Sequence, residues 1–466
     1  MSDPQLPARL LDDLRAIVGA PHVITEPRDQ APYTDEQRGR FESRTPAVVR
    51  PGSTGEVAAV VAACGDGRVG VVPQGGNTGL VGGAVAAGEI VVNLGRMNKV
   101  REIDAANFTM TVDAGLVLAD AQKAATQAGR HFPLSLAAEG SCQIGGNLAT
   151  NAGGTAVLRF GPMRDLVLGL EVVTASGEVW DGLRGLRKDN TGYDLKHLFI
   201  GSEGTLGIIT GAVLKLFPEP PETATAFVAL ADVAAGVVLL EHLRRRSGDA
   251  LTACELIGRR GLEMVVRHIP GVSDPFDRAH DQYALIEMSV AVPVLEELLA
   301  EAMEAGSVGD AVVARSEDQR RRLWHIRETL PEAQEPEGAS IKNDVAVPVS
   351  AVPEFMARAT AAVEAAVPDV GVIAFGHLGD GNIHFNLSQP AGVEASAFLA
   401  RWDELTALVG DIVEELGGSF SAEHGIGLAK RGELARRRGA PELALMKAVK
   451  SALDPKGLMN PGKILK

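Results

Sequence analysis

The chain has 466 residues, 45% of them hydrophobic and 23% charged, which is the composition of a globular enzyme of two or three domains. A formal net charge of −15 and an aromatic content of 4% argue against a nucleic-acid partner. Three widely spaced cysteines exclude a disulfide framework and a cysteine metal site. The sequence predicts no membrane span and a cytoplasmic protein.

The N-terminal half alternates helical and strand patterns. Ser53 and Glu56 have the spacing of a capping box, which predicts that a helix starts there. The string Gly65–Gly70 matches a dinucleotide fingerprint, but it follows a predicted helix and precedes a strand. That order is the reverse of a Rossmann loop and disfavours a reductase that uses NAD(P)H. Other strands are predicted at Thr45–Pro51, Val69–Val72, Glu89–Leu94, Thr109–Ala114 and Ile208–Phe217.

Pro218–Pro221 is predicted to be a domain boundary, because such a run cannot continue a helix or a central strand. Beyond it, strands alternate with helical patterns and indicate an α+β layer with an antiparallel sheet. These strands are predicted near Ala224–Leu230, Thr252–Ile257, Ala284–Val290 and Ala311–Ala314. The last ~45 residues are again helical in pattern.

Two glycine-rich segments, Pro73–Gly83 and Gly140–Gly154, lie in the N-terminal half. Consecutive glycines allow backbone N–H groups to crowd around an anion, and the hydroxyls and amides between them suit a cofactor rich in oxygen. Each segment alone could be a surface loop. The occurrence of both in one half favours a cofactor that carries phosphate.

Three of the ten histidines lie in two glycine-rich motifs of the C-terminal half, Phe375–Asn386 and Ser421–Arg431. If Asp380-Gly381 forms a two-residue hairpin turn, His377 lies directly opposite His384 and both imidazoles can bind one metal. Glu423 could add a carboxylate, which gives a catalytic zinc-type site with an open position. The alternative is that these are ordinary polar residues in turns.

The glycine-rich segments, with Arg159–Gly161 and Gly201–Gly207, resemble the FAD-binding domain of the vanillyl-alcohol oxidase-like (PCMH-type) flavoproteins. The resemblance implies that fifteen residues contact FAD. These are Gly75, Gly76, Asn77, Thr78, Gly79, Ser141, Gly145, Gly146, Asn147, Asn151, Gly153, Gly154, Glu203, Gly204 and Ile209. The Gly75 segment contains no His or Cys for a covalent tether, so we expect non-covalent FAD.

The C-terminal motifs, together with the Asp454–Pro461 tail, resemble FAD-linked D-2-hydroxyacid dehydrogenases, a group that oxidises D-lactate, glycolate or D-2-hydroxyglutarate. The resemblance implies that His377, His384 and Glu423 bind a divalent metal, expected to be zinc, and that His424 is the catalytic base. A neutral imidazole is a suitable base for an alcohol proton, and FAD accepts the hydride at N5.

Arg327 matches the family arginine that binds the substrate carboxylate, and Lys342 matches a lysine typical of the D-2-hydroxyglutarate branch. Asn386 is a further candidate for substrate binding. Pro331 stands where that branch often has Thr, and Ala346 where Ser is common. D-2-hydroxyglutarate, oxidised to 2-oxoglutarate, is therefore the preferred substrate, with D-lactate or glycolate as the alternative. A catalytically silent flavin-binding subunit is disfavoured, because it would need no base.

The resemblance implies three parts. Residues 1–220 form the FAD-binding domain, with its core at about 42–218, residues 221–420 form an α+β substrate (cap) domain, and residues 421–466 form a helical segment that packs back on the FAD domain. It also implies an electron acceptor such as an electron-transfer flavoprotein or a quinone, and it is compatible with a homodimer.

Overall fold

The computed structural model describes residues 6–466, which divide into two units. The first unit comprises the chain up to Gly154, Gly161–Glu219 and Glu423–Lys466. The second unit comprises Thr155–Phe160 and Pro220–Ala422. In residues 6–466 we find no helix with both the length and the apolarity needed to cross a membrane.

The first unit contains two sheets. A four-stranded sheet has the order β1-β2-β4-β3, in which β4 runs parallel to β2 and β3. Its strands are β1 (Val23–Ile24), β2 (Val48–Val49), β3 (Val71–Gln74) and β4 (Ile90–Asn93). A five-stranded antiparallel sheet has the order β5-β6-β9-β7-β8. Its strands are β5 (Val100–Asp104), β6 (Thr109–Asp113), β7 (Val167–Val173), β8 (Val179–Gly182) and β9 (Ile208–Lys215).

Helices of the first unit include one at Thr54–Gly67, whose start shows the predicted capping. The Ser53 side chain accepts a hydrogen bond from the Glu56 N–H at 3.2 Å, and the Glu56 carboxylate accepts one from the Gly52 N–H at 2.7 Å. The Gly65–Gly70 string ends this helix and leads into β3, which is the wrong order for a dinucleotide loop. The other helices are Ala8–Val18, Pro27–Thr34, Leu118–Gln127, Ile144–Ala149, Lys196–Phe199, Arg431–Arg437 and Ala440–Leu453.

The C-terminal segment completes the first unit. Met459 forms a parallel bridge with Val71 at the start of β3. The Asn460 side-chain amide donates to the backbone carbonyls of Gly83 (2.9 Å) and Glu203 (2.7 Å). Because these bonds reach segments that are far apart in sequence, the C-terminal residues belong to this unit as much as its N-terminal strands do.

The second unit is built on a seven-stranded sheet of order β13-β10-β12-β11-β15-β16-β14, and every pairing in it is antiparallel, as predicted. The strands are β10 (Ala224–Leu230), β11 (Leu251–Gly258), β12 (Gln282–Met288), β13 (Asp310–Val313), β14 (Ser340–Ala346), β15 (Gly371–His377) and β16 (Asn382–Ser388). The helices are Val157–Phe160, Val233–Ser247, Arg259–His268, Val292–Glu304, Glu317–Glu328, Leu330–Ala333, Val352–Ala366, Ala395–Leu399 and Trp402–Glu415.

Apolar cores lie on both faces of this sheet. Ile383, Phe385 and Leu387 of β16 pack into the larger core, which also contains Phe355 and Val409 from the helices. Ile373 and Phe375 of β15 pack into the other core. Strand side chains alternate between faces, so His384 and Asn386 lie on the same face as Phe375. His384 and Asn386 are therefore on the sheet face that carries the smaller core.

Candidate active site

A cavity of about 310 Å³ in the first unit is lined by residues of the glycine-rich segments, by Ser202–Gly204, by Gly207–Ile209 and by Glu423 and His424. Most of the residues that the resemblance assigned to FAD line it. They are Gly75, Gly76, Asn77, Thr78, Gly79, Gly145, Gly146, Asn147, Gly153, Gly154, Glu203, Gly204 and Ile209. The cavity has the size and concavity of a cofactor site.

Ser141 and Asn151 do not line this cavity. Ser141 is exposed, and its hydroxyl donates to the Ala138 carbonyl at 3.3 Å. The Asn151 side-chain oxygen accepts from the Arg164 N–H at 2.9 Å, and its backbone is left-handed with φ 49°. The side chains of both residues stabilise the local chain conformation by hydrogen bonds and are not part of the cavity wall.

Two glycines permit close backbone approach around the cavity. A Cβ on Gly76 would lie 2.1 Å from the Ser141 carbonyl oxygen, so only glycine allows the two glycine-rich segments to pack against each other here. A Cβ on Gly154 would lie 2.1 Å from the Ser135 carbonyl oxygen, and its φ of 109° is in the region that favours glycine. The glycines therefore shape the cavity as well as expose backbone N–H groups.

Gln143 lines the same cavity, and sequence reasoning did not select it. Its Oε1 is buried and has no hydrogen-bond partner among residues 6–466. An unpaired buried acceptor costs about 1–3 kcal/mol, which a ligand with hydroxyl or N–H donors would offset. FAD carries such donors, so the residues present fit this cofactor.

Glu203 anchors the loop that carries Glu423 and His424. Its carboxylate oxygens accept hydrogen bonds from the N–H groups of Ile426 (2.7 Å) and Gly427 (2.8 Å). Burial raises the pKa of Glu203, and the two N–H bonds act in the opposite direction. Its side chain, which we expected to contact cofactor, is thus engaged with the loop that follows His424.

Glu423 and His424 both face the cavity of the first unit. The Glu423 Oε1 accepts from the Gly154 N–H at 3.3 Å, and a Cβ on Gly153 would lie 3.0 Å from the same oxygen. The glycine-rich segment thus contacts the carboxylate that precedes His424.

The second unit contains a buried polar cluster on one face of its sheet. We use this name for Glu255, Arg327, Asp344, His377 and His384, together with Gln334, Lys342, Asn382 and Asn386. Their side chains come from β11, β14, β15, β16 and the helical segments that cover this face. Lys342 and His384 are half-buried, and the other seven residues are buried. The five substrate and metal candidates of this unit therefore lie in one region.

The predicted register of the histidine hairpin is wrong. His377 pairs with Asn382, and His384 pairs with Phe375, because the chain reverses over four residues instead of two. The His377 carbonyl accepts from the Gly381 N–H at 3.0 Å, and Gly381 has φ 79°. The register differs by two residues from the prediction, which preserves the faces. The two imidazoles therefore still share a face, with ring centroids 5.7 Å apart.

Glu255 joins a histidine and an arginine of the cluster. Its Oε1 is 2.7 Å from His377 Nδ1, and its Oε2 accepts from Arg327 Nε at 2.7 Å. Burial alone would raise the pKa of Glu255, but its electrostatic interactions and hydrogen bonds with His377 and Arg327 outweigh it and lower the pKa to about 2. Sequence reasoning missed Glu255, although a lone carboxylate in an apolar strand signals a buried partner.

Arg327 and His384 lie on either side of Phe375. The Arg327 guanidinium carbon is 5.0 Å from the Phe375 ring centroid, and the His384 ring centroid is 5.1 Å from it. His384 Nδ1 is 3.9 Å from the Asp344 carboxylate, which accepts from Asn382 Nδ2 at 3.0 Å. Asp344 was not predicted as a site residue.

Lys342 and Asn386 meet at a third side chain, Gln334. Gln334 Oε1 accepts from Asn386 Nδ2 at 2.9 Å and from Lys342 Nζ at 3.3 Å. Lys342 and Asn386 are directly paired across β14 and β16. Pro331, the position at which the sequence departs from the hydroxyglutarate branch, lies in the helix Leu330–Ala333 just before Gln334. Ala346 ends β14 and bridges to Ser419.

Comparison with known proteins shows which family this chain is related to. The profile of the family described as "FAD linked oxidases, C-terminal domain" matches residues 219–464, which is more than half of the chain, and that of an "FAD binding domain" matches residues 45–182. This chain belongs to the FAD-linked oxidase family. The interpretation of the sequence as an FAD-linked dehydrogenase of the D-2-hydroxyacid group is confirmed.

Among its relatives, a D-2-hydroxyglutarate dehydrogenase of Xanthomonas citri pv. viticola is 42% identical over 100% of this chain and 97% of the relative. A mitochondrial D-2-hydroxyglutarate dehydrogenase of Arabidopsis thaliana is 37% identical over 97% of this chain and 80% of the relative. Among solved structures, p-cresol methylhydroxylase with substrate bound gives a TM-score of 0.79 at 17% identity, covering 99% of this chain and 98% of the other. That likeness confirms the vanillyl-alcohol oxidase-like fold.

Proposed function

We propose that this FAD-dependent dehydrogenase oxidises D-2-hydroxyglutarate to 2-oxoglutarate and needs a divalent metal, which we expect to be zinc. The observation that carries the proposal is that the buried polar cluster puts two cationic side chains, Arg327 and Lys342, on the same sheet face as the pair His377 and His384. A dicarboxylate needs two cations, and a metal needs neutral imidazoles. The two relatives described above carry the same activity in their names.

In this proposal, Arg327 binds the carboxylate next to the reacting carbon. Within residues 6–466 its hydrogen bond is made through Nε, which leaves the two terminal nitrogens as donors for an incoming carboxylate. Lys342 binds the distal carboxylate. Asn386, whose amide bonds the same Gln334 oxygen as Lys342, supplies a neutral donor beside it.

His377, His384 and Glu423 would hold the metal, and the paired imidazoles fit it by their chemistry. The family resemblance supports the assignment of Glu423 as a metal ligand and of His424 as the catalytic base. The cavity with the unpaired Gln143 oxygen would hold FAD, with the thirteen lining residues of the resemblance around it. A metal held there would supply polarisation of the substrate hydroxyl, and FAD in the cavity would supply the hydride acceptor. His424 takes the hydroxyl proton on its imidazole nitrogen.

A D-lactate or glycolate dehydrogenase remains the second candidate, because Pro331 and Ala346 differ from the hydroxyglutarate branch. Under either substrate we propose an electron-transfer flavoprotein or a quinone as the acceptor and a cytoplasmic location. Homodimer formation is a further expectation from the resemblance.

One screen tests the proposal. The purified protein is mixed anaerobically with D-2-hydroxyglutarate, D-lactate, glycolate, L-2-hydroxyglutarate and L-lactate, each in a separate reaction. Bleaching of the flavin absorbance is followed. The metal content of the same sample is measured. We expect the fastest bleaching with D-2-hydroxyglutarate and about one divalent metal per chain. No bleaching with any D-hydroxyacid would contradict the enzyme and favour a silent flavin-binding subunit.

A further inference from the structure

We infer that Glu255 is a positioning residue that fixes the metal-binding tautomer of His377 and the orientation of Arg327 through one carboxylate. The inference rests on the proposed function, because it assigns Glu255 a role toward the metal and the substrate carboxylate. Its basis is the pair of 2.7 Å contacts that Glu255 makes with His377 and Arg327.

The setting of Glu255 requires both partners. It lies within β11 between Cys254 and Leu256, which are 2% and 0% exposed, and the Glu255 side chain itself is 1% exposed. It is paired directly with His377 across β11 and β15. A carboxylate buried to this degree is tolerated only when its charge is compensated and its oxygens are hydrogen-bonded. Arg327 compensates the charge, and the His377 N–H bonds the second oxygen.

The contact with His377 determines which ring nitrogen can bind metal. An ionised carboxylate only accepts hydrogen bonds, so His377 Nδ1 must carry the proton. The lone pair of the neutral ring is then on Nε2. Histidines that bind metal commonly donate their other N–H to a carboxylate in this way, which fixes the ring and raises its basicity as a ligand.

The contact with Arg327 uses the other oxygen of the same carboxylate. It holds the guanidinium at Nε and, together with the Phe375 ring 5.0 Å away, restricts its plane. One side chain thus orients a metal ligand and a substrate-binding cation together. The simpler alternative is that Glu255 only neutralises Arg327 and stabilises the fold.

The test compares Glu255→Gln with a matched control, Glu287→Gln. Glu287 lies on the neighbouring strand β12, is 18% exposed, and accepts bonds from Arg320 (3.0 Å), Trp324 (2.7 Å) and Thr225 (3.1 Å). Both changes remove one negative charge from the same sheet, at a buried position for Glu255 and a half-buried one for Glu287. Zinc affinity of the metal-depleted full-length proteins is measured by competition with a chelating dye, and FAD content and thermal stability are recorded for each.

We expect Glu255→Gln to weaken zinc binding by about 10- to 100-fold, and to raise the KM for D-2-hydroxyglutarate, with normal FAD content. Glu287→Gln should lower thermal stability but leave zinc affinity within about threefold of wild type. Equal zinc affinity of Glu255→Gln and wild type would overturn the inference about Glu255 but not the proposed metal site. If wild type itself bound no divalent metal, the proposed metal site would fall as well.

A measurement on the wild-type protein covers the case in which Glu255→Gln does not fold. In protein labelled with ¹⁵N-histidine, the His377 signals are assigned by their loss in His377→Gln, and the tautomer is determined from ring ¹⁵N shifts with zinc bound. The expected form has the proton on Nδ1. A proton on Nε2 would overturn the inference.

Discussion

His384 pairs with Phe375 across β15 and β16 and meets His377 on the diagonal, with ring centroids 5.7 Å apart. Diagonal neighbours on one face of an antiparallel pair lie within reach of large side chains. His377 of β15 pairs with Asn382 of β16 next to the turn. Both imidazole rings are therefore at the turn end of the hairpin. Each histidine is therefore expected to be necessary for metal binding.

His377→Ala and His384→Ala should each lose most of the bound divalent metal and the hydroxyacid-dependent reduction of flavin. FAD content should stay near wild type, because the cavity assigned to FAD is built from residues of the other unit. Metal is measured by elemental analysis and FAD by absorbance. His242→Ala, which removes a helix histidine bonded to the Leu298 carbonyl, is the matched control. Either variant with wild-type metal content would contradict the assignment.

His424→Ala should abolish flavin reduction by substrate while metal and FAD remain bound. The alanine removes the proposed base but leaves the loop anchored by the bonds from Ile426 and Gly427 to Glu203. Stopped-flow reduction of the purified variant measures this. Stoichiometric loss of metal would mean that His424 is a ligand and that Glu423 has another role.

Lys342→Met should weaken kcat/KM for D-2-hydroxyglutarate by about 2–4 kcal/mol, because a buried carboxylate would lose its cation. The methionine keeps the apolar stem, and Gln334 retains its bond from Asn386. Activity on D-lactate should change far less, since lactate has no distal charge. Exposed Lys188→Met is the control. Equal effects on both substrates would favour a short monocarboxylate as the natural substrate.

FAD should be released completely when the protein is precipitated with acid. The only cysteine that lines the cavity within residues 6–466 is Cys142, and burial raises the pKa of its thiol, which keeps it protonated and unreactive. The supernatant should therefore contain all of the flavin. Yellow colour that remains on the denatured chain would contradict non-covalent binding.

Glu171→Gln should destabilise the first unit by about 1–3 kcal/mol at pH 7. Burial raises the pKa of Glu171, but hydrogen bonds from Arg101 (2.8 Å), Thr54 (2.6 Å) and Thr210 (2.9 Å) outweigh it and lower the pKa from its ordinary value. A lowered pKa gives stability that is present above the ordinary value and is lost as the pH falls. Thermal unfolding of both proteins should therefore converge below about pH 4.5. A constant difference down to pH 3 would contradict this.

Local chemistry explains what could be predicted from sequence. The cap at Ser53, the strand Ala224–Leu230 and the antiparallel order of the second unit follow from patterns within a few residues of each other. The hairpin register was not predictable, because Asp-Gly is compatible with turns of different length. The bond from Gly381 to His377 selects the longer one.

The roles that could not be predicted from the sequence depend on contacts between residues that are far apart in the chain. Glu255 is 122 residues before His377 and 72 before Arg327, so no sequence window contains the group. Glu203 was selected for its glycine-rich neighbours, but its carboxylate bonds backbone more than 220 residues later. Gln334 has no motif around it, and its importance depends on β14 and β16 bringing Lys342 and Asn386 to one oxygen.

The return of the C-terminal segment to the first unit has a consequence for biosynthesis. The ribosome completes residues 220–422 before it makes Lys450, whose ammonium donates to the carbonyls of Thr205 and Met459, both at 2.8 Å or less. The Asn460 bonds to Gly83 and Glu203 come later still. Residues 161–219 of the first unit are thus made before residues 423–466 of the same unit, and the hydrogen bonds that join these two parts can form only after residues 220–422 have been synthesised.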